Sequence, residues 1–276
     1  MKILTLNTHS WLESNQIAKL YLLAKEIINS DFEMIALQEV NQLIEAPIIP
    51  NSSYIQSLSN KPIRKDNFAY LLIKILKQLG KNYYCIWVDS HTGFKIYEEG
   101  VALISKTPFI NTQVITCRDS LNFTDVRRRS LIGGSVYYHE KEVWFYSVHF
   151  SWWQFKNEEL FATEWFNFQK QGKISKNDFS IIMGDFNNDA SIKHEGYELI
   201  QSTSALYDSF YQAQEKIGEY SVTKKIDGWE NNKNELRIDY IFTTQPLKIK
   251  TYKILFNGQT QPTISDHYGI SIDMEI

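Results

Sequence analysis

Several apolar runs in this chain end on a group that an apolar core cannot hold unaided. Ser180-Ile181-Ile182-Met183 leads straight into Gly184-Asp185-Phe186-Asn187, and Ser265-Asp266-His267 stands just before the apolar residues Ile270 and Ile272. A carboxylate at the end of a buried strand is costly to desolvate unless a metal, a partner or a reaction uses it. Residues 1–7 read as a first strand ending in the carboxamide of Asn7, and residues 34–40 as an apolar run carrying Glu39. Residues 143–149 end in the imidazole of His149, and residues 236–242 carry Asp239 inside an otherwise apolar strand. Strands of one core share their rims, so residues remote in sequence meet there. Carboxylates, amides and imidazoles at equivalent strand positions suit metal-assisted hydrolysis of phosphate esters.

The periodicity supplies the frame for such a rim. Ile17, Leu20, Leu23, Ala24, Ile27 and Ile28 recur at helical spacing, which predicts a helix over 14–28 and a β-α-β start. A second amphipathic helix is expected over 68–79, stopped by Gly80. Strands are expected over 83–88, 100–105, 109–117, 131–138, 142–149 and 180–183, and helices over 157–169, 197–202 and 206–213. Residues 47–60, with Pro47 and Pro50, are expected to loop over the active rim, and 228–235 to form a polar loop. Helices interleaved with strands imply an α/β (α+β) fold, a four-layer sandwich of two packed mixed β-sheets flanked by helices.

No linker, repeat or low-complexity tract divides the chain, and motifs at both ends serve one rim, so residues 1–276 are expected to form one domain. An apolar content of 43% is ample for its core. The formal net charge of −3 counts against a protein that holds nucleic acid by neutralising phosphates, since Arg127-Arg128-Arg129 is the one basic run that stands out. Cys85 and Cys117 both lie in apolar runs and read as reduced core thiols. There is no basic-then-apolar leader pattern and no stretch of membrane-spanning length, so the expected location is cytoplasmic.

From Leu6-Asn7 to Asp266-His267, these motifs in this order resemble the endonuclease/exonuclease/phosphatase superfamily, which includes abasic-site endonucleases, bacterial sphingomyelinases and inositol-polyphosphate 5-phosphatases. The resemblance implies that Glu39 binds a divalent cation, Mg²⁺ or Mn²⁺, that Asn7 helps to hold it, and that Asp266 supports the ligand set. It implies that Asp185 positions the attacking water and that Asn187 contacts phosphate or metal. If the backbone stays extended, Asp185 and Asn187 point the same way. It further implies that Asp239 pairs with His267, favouring an imidazolium that stabilises the transferring phosphoryl group. His149 stands where sphingomyelinases have histidine and abasic endonucleases have tyrosine.

Within the superfamily, the chain is most similar to a bacterial branch that includes maltose 6′-phosphate phosphatases. The likeness rests on Thr-Leu-Asn-Thr-His-Ser-Trp at 5–11, Ser-His-Thr-Gly-Phe at 90–94, Glu-Gly-Val-Ala at 99–102 and Ile-Asp-Gly-Trp at 226–229. It implies a phosphomonoesterase of a small sugar phosphate, with no nucleic-acid or membrane partner. The runner-up readings are a nuclease of the abasic-endonuclease type and a sphingomyelinase-like phosphodiesterase. An aromatic content of 14% is high, and aromatic platforms beside carboxylates suit sugar rings as well as bases. Trp152, Trp153, His91, Tyr97 and Trp229 are the expected substrate contacts. Arg127 is the expected phosphate clamp, and strand alternation would turn it and Arg129 one way and Arg128 the other.

Overall fold

The apolar runs fold as strands buried on both faces, which is why they read as near-continuous apolar stretches and not as strict alternations. A computed structural model describes residues 1–276 except Asp119, Lys224, Asp227, Glu230 and Asn231. In chain order the strands are β1 (Lys2–Asn7), β2 (Met34–Gln38), β3 (Gln42–Leu43), β4 (Ile55–Ser57), β5 (Tyr84–Gly93) and β6 (Tyr97–Ser105). There follow β7 (Thr112–Thr116), β8 (Ser130–Tyr138), β9 (Lys141–His149), β10 (Gln154–Phe155), β11 (Glu158–Glu159) and β12 (Ser180–Asp185). The last are β13 (Tyr207–Asp208), β14 (Glu215–Ile217), β15 (Asp239–Thr243), β16 (Lys248–Leu255) and β17 (Gly269–Glu275). The helices are α1 (Gln16–Ser30), α2 (Phe68–Gln78), α3 (Phe161–Gln171), α4 (Gly196–Thr203) and α5 (Ser209–Gln212).

One sheet runs β14-β16-β17-β1-β2-β6-β5-β4 with β3 on β6, and the other runs β13-β15-β12-β9-β8-β7. Both are mixed: β1 is parallel to β2 and β12 to β9, while β17, β6, β15 and β8 run antiparallel to their neighbours. Side-chain parity assigns the layers. Ile3, Met34, Ala36, Phe145, Ile181 and Ile241 meet between the sheets. Leu4, Leu6, Ile35 and Leu37 turn the other way, onto Leu20, Leu23 and Leu72 of α1 and α2. Tyr146, Val148, Ile182 and Phe242 pack against Trp165 and Phe168 of α3 and Ile200 of α4. The result is the expected α/β sandwich of two mixed sheets with flanking helices.

Some boundaries move for local reasons. The helix expected from 157 begins at Phe161, because Lys156 and Asn157 take left-handed φ of 48° and 66° to close the β10–β11 hairpin. Only Ser209–Gln212 of the expected 206–213 helix is helical, since the Asp208 carboxylate accepts from Phe210 N at 2.9 Å and caps it there. Asp239 opens its strand and does not lie inside it, because the carbonyls of Arg237 and Ile238 are taken by the backbone of Ala190 and Phe186. β5 and β6 extend beyond the expected bounds as a long hairpin whose register shifts between Asp89 and His91. Residues 47–60 do not cover the rim: Ile55–Ser57 adds to the sheet edge beside β5. Cys85 and Cys117 are buried and unbridged. Among the described residues no helix is long and apolar enough to cross a membrane.

Just beneath the rim the inter-sheet layer turns polar. Gln38 Nε2 donates to Ser147 Oγ across the sheets at 2.9 Å, and Ser147 Oγ donates to the Leu37 carbonyl at 3.1 Å. Thr5 Oγ1 donates to Gln38 Oε1 at 3.3 Å. This fully paired layer fixes the two sheets against each other directly below the cleft residues.

Candidate active site

The rows of side chains that face between the sheets end together at one rim. Asn7 lies opposite Gln38 in the β1–β2 register, and Asp185 lies opposite both His149 on β9 and Asp239 on β15. The Ser265–His267 turn joins them because Ser265 Oγ donates to the Asn7 carbonyl at 2.7 Å. These groups surround a cavity of about 170 Å³ that Glu39, His149, Asp185, Asn187, Asp266 and His267 help to line.

Asn7 ties the carboxylates in place. Its Nδ2 donates to Glu39 Oε1 at 2.9 Å and to Asp185 Oδ2 at 3.0 Å, while its Oδ1 accepts from the His9 backbone at 3.2 Å. Asn7 thus ties the Glu39 and Asp185 carboxylates together through one amide nitrogen. Asp185 Oδ1 accepts from the Asn187 backbone N at 2.8 Å. The backbone is not extended here, as Asn187 has φ of 51°, a conformation asparagine tolerates. The amide of Asn187 is anchored by donating to the Phe150 carbonyl at 2.9 Å. Glu39 also leaves its strand with a left-handed φ of 51°, a strained turn that aims its carboxylate into the cleft.

The two histidines beside Asp185 are in opposite states. Burial works against charge on His267, but Asp239 and Asp185 override it and hold its pKa well above the usual imidazole value. His267 Nδ1 lies 2.8 Å from Asp239 Oδ2, so Nδ1 carries a proton and Nε2 is free to donate. For His149, burial and then Arg129 push the pKa well below the usual value. Arg129 Nη1 lies 3.5 Å from His149 Nδ1. A guanidinium can only donate, so this neutral ring carries its proton on Nε2. Burial, followed by the charge on Asp239, lifts Asp185 to about 7, against the pull of His267 and Asn7.

The donor set fits a divalent cation. Burial first, then Glu99 and Asp266, push Glu39 up to about 7. Carboxylates that crowd one another in this way are relieved by a cation among them, and carboxylate oxygens without thiols suit a hard divalent cation. Among the described residues, two groups have ligand atoms within 4.8 Å of one another: His9 with Glu13 and Asp266, and Asp185 with Asp239 and His267. In the first, His9 Nδ1 is 2.8 Å from Glu13 Oε1 and 3.7 Å from Asp266 Oδ1.

The expected substrate contacts divide. Trp152 and His91 line the cavity. The register shift in β5 sets His91 opposite Glu99, so both face inward. Trp153, its parity opposite to Trp152, packs against the α3 core. Tyr97 is outside the wall, paired with Gly93 at the hairpin end. Trp229 packs against the small cluster of Val222, Ile226, Leu236 and Ile238. Asp227 of the Ile-Asp-Gly-Trp motif lies outside the described residues. Arg127 turns away and binds Asp125 Oδ2 at 2.7 Å and Glu158 Oε2 at 2.6 Å. Arg129 lines the cavity in its place, with His9 and Glu99 as further wall residues that periodicity did not single out. His9 and Glu99 had a signal, since both lie inside the segments 5–11 and 99–102 singled out in the sequence.

The sequence matches the pattern of the Endonuclease/Exonuclease/phosphatase family over residues 9–267. An endonuclease/exonuclease/phosphatase family protein from Leptotrichia buccalis C-1013-b is 34% identical and superposes with a TM-score of 0.87 over 100% of both chains. A mannosyl-6-phosphatase of Bacteroides thetaiotaomicron VPI-5482 shares the fold at 18% identity, with a TM-score of 0.69 over 100% of both chains. So does D. rerio TDP2 complexed with a single-strand DNA product, at 15% identity and a TM-score of 0.65, over 100% of this chain and 99% of that one. No curated protein matches the sequence. With the pattern matched over nearly its whole length and the cleft residues gathered at one rim, the chain belongs to the endonuclease/exonuclease/phosphatase family.

Proposed function

We propose that this chain is a Mg²⁺- or Mn²⁺-dependent phosphomonoesterase of a small sugar phosphate, with maltose 6′-phosphate as the foremost substrate. One observation carries the reading. The four segments that resemble the sugar-phosphate branch come from three separate stretches of the sequence, yet they give His9, His91, Phe94, Glu99 and Ile226 to a single cavity. A cavity of about 170 Å³ with Trp152 and Phe94 in its wall suits a sugar ring and a phosphoryl group better than a duplex. The net charge of −3 supports a small-molecule substrate over nucleic acid. The mannosyl-6-phosphatase among the fold's relatives adds support.

Glu39 and Asp266 would hold the cation. When bound, it would neutralise charge on the phosphoryl oxygens. Asp185 orients the attacking water and accepts its proton. His267, as imidazolium, and His149, as neutral imidazole, donate from Nε2 to oxygens on which charge develops. Asn187 contributes its amide from the same wall. Water attacks phosphorus in line, and no covalent enzyme intermediate is needed.

One domain over residues 1–276 and a cytoplasmic site of action belong to the same proposal. The pairing of β1 with β17 supports the first, and the two unbridged cysteines are compatible with the second.

The test is phosphate release from a panel of phosphorylated mono- and disaccharides, with Mg²⁺ and with EDTA, beside an abasic duplex. Metal-dependent release from one sugar phosphate with the DNA left intact is the expected result. DNA nicking without sugar-phosphate turnover would overturn the substrate assignment.

A further inference from the structure

We infer that Arg129 recognises the second negative charge of a phosphomonoester and so selects monoesters over diesters at this site. The inference rests on the phosphatase reading above and deepens it. The chain has six arginines, and four of them are matched closely by carboxylates. Arg64 lies 2.9 Å from Glu98, Arg118 and Arg127 each lie 2.6 Å from Glu158, and Arg237 lies 2.7 Å from Asp208. Arg128 is occupied by the Ser90 carbonyl and by Asp89 at 3.7 Å.

Arg129 differs from all of these. It is 4% exposed, it lines the cavity, and its carboxylate partner Glu99 is 3.9 Å away. Its remaining contacts are neutral: Ser151 Oγ at 3.3 Å and His149 Nδ1 at 3.5 Å. The match to Glu99 is weak for a second reason, since burial holds that carboxyl above its ordinary range. A buried guanidinium whose carboxylates act on it from a distance, Glu99 at 3.9 Å and Glu164 by way of Ser151, keeps N–H donors for an anion that joins it.

The position is right for that anion to be the substrate's phosphoryl group. Arg129 contacts one side of the His149 ring, and the other side looks to Asp185, with His149 Nε2 3.7 Å from Asp185 Oδ2. A phosphoryl group within reach of the water that Asp185 orients is thus about one ring's width from the guanidinium. A monoester carries close to two charges near neutral pH and presents three unsubstituted oxygens, which a planar fork of N–H donors can grip in pairs. A diester carries one charge and has its second ester group in place of one of those oxygens.

The experiment compares wild type, Arg129→Lys and Arg129→Met, with Mg²⁺, on p-nitrophenyl phosphate and bis(p-nitrophenyl) phosphate. Inorganic phosphate is the calorimetric probe of binding. The monoester-to-diester ratio of kcat/KM is expected to fall about 100-fold in Arg129→Met and to recover in part with lysine, which keeps the charge but lacks the fork. The Kd for inorganic phosphate is expected to rise at least about tenfold in Arg129→Met. The ratio does not depend on the fraction of protein folded, so a variant that merely loses structure leaves it unmoved. A wild type that prefers the monoester, with variants that keep its ratio and its phosphate affinity, would overturn this inference alone. A wild type that cleaves only the diester would overturn the phosphatase reading and this inference with it.

Discussion

His149 and His267 point their Nε2 atoms at the same oxygen, Asp185 Oδ2, each from 3.7 Å, and they do so in opposite charge states. His267 is held protonated by Asp239 and Asp185 against the effect of burial, while His149 is held neutral by burial and by Arg129. Two donors of unequal strength thus flank one carboxylate. The asymmetry has no origin in the histidines themselves. It comes from what stands behind each ring, a carboxylate in one case and a guanidinium in the other.

Asp239→Asn removes the carboxylate behind His267. The imidazolium loses its strongest favourable partner and its pKa falls. We expect kcat to drop by about 100-fold to 10,000-fold with KM little changed, by analogy with the loss of a carboxylate behind any catalytic histidine. The alkaline limb of the pH–rate profile should move to lower pH, because the protonated ring is lost sooner. An alkaline limb that stays in place would show that His267 does not work as an imidazolium.

Glu39→Gln separates metal binding from folding. The glutamine oxygen can still accept from Asn7 Nδ2, which now holds Glu39 Oε1 at 2.9 Å. The repulsion from Glu99 and Asp266 that helps to lift Glu39 to about 7 disappears. Turnover is expected to fall by at least about 1,000-fold, while the metal-free Tm stays level or rises. Adding Mg²⁺ should raise the Tm of wild type and not that of the variant. An equal Mg²⁺-induced rise in both would place the cation elsewhere.

His91 makes the protein acid-sensitive. Burial, followed by the charge on Arg129, depresses its pKa from 6.5 to about 3. A lowered histidine contributes stability above the unfolded value of 6.5 and loses it as the pH falls toward the folded value, because only the unfolded chain takes up the proton. The raised carboxyls of Glu39 and Asp185 act with the opposite sign, their contribution being lost as pH rises toward 7, but they are common to wild type and a His91→Gln variant. Between pH 6.5 and 5, metal-free wild type should therefore lose up to about 2 kcal/mol more than His91→Gln. Urea unfolding at the two pH values measures this. Parallel losses would mean that His91 is protonated in the folded state.

The strand-end groups were legible because an apolar run that stops on Asp185 or His149 admits few structural explanations. The layers followed from the same runs, and parity along β12 separates Ile181, which faces the other sheet, from Ile182, which faces α3. Legibility failed where the chain leaves the strands. Parity placed Arg127 and Arg129 together, but Arg128 N closes a turn onto the Asp125 carbonyl at 3.0 Å, and the strand starts only at Ser130. Arg127 therefore faces Asp125 and Glu158, and Arg129 faces the cavity. Tyr97 and Trp229 were singled out as aromatics near the right motifs, and aromatic character alone does not say which side of a hairpin or loop a ring will choose. The pairing of Gln38 with Ser147 joins two sheets through residues 109 positions apart, and no local pattern announces it.

Gly184→Ala tests whether the placement of Asp185 depends on the glycine before it. Gly184 has φ of +149°, and a Cβ there would stand 2.0 Å from the Val148 carbonyl oxygen and 3.0 Å from Val148 Cγ2. The oxygen belongs to the backbone of β9, which pairs in parallel with β12 at this very residue, so it cannot rotate away. Either the two strands separate or the turn into Asp185 is rebuilt. The expected cost is about 3 kcal/mol or more, seen as a lower urea midpoint at unchanged m. Whatever protein remains folded should be impaired too, because the same displacement moves Asp185 relative to His149 and Asp239, its two cross-strand neighbours. An alanine variant with wild-type midpoint and turnover would show that β12 and β9 do not meet in this register.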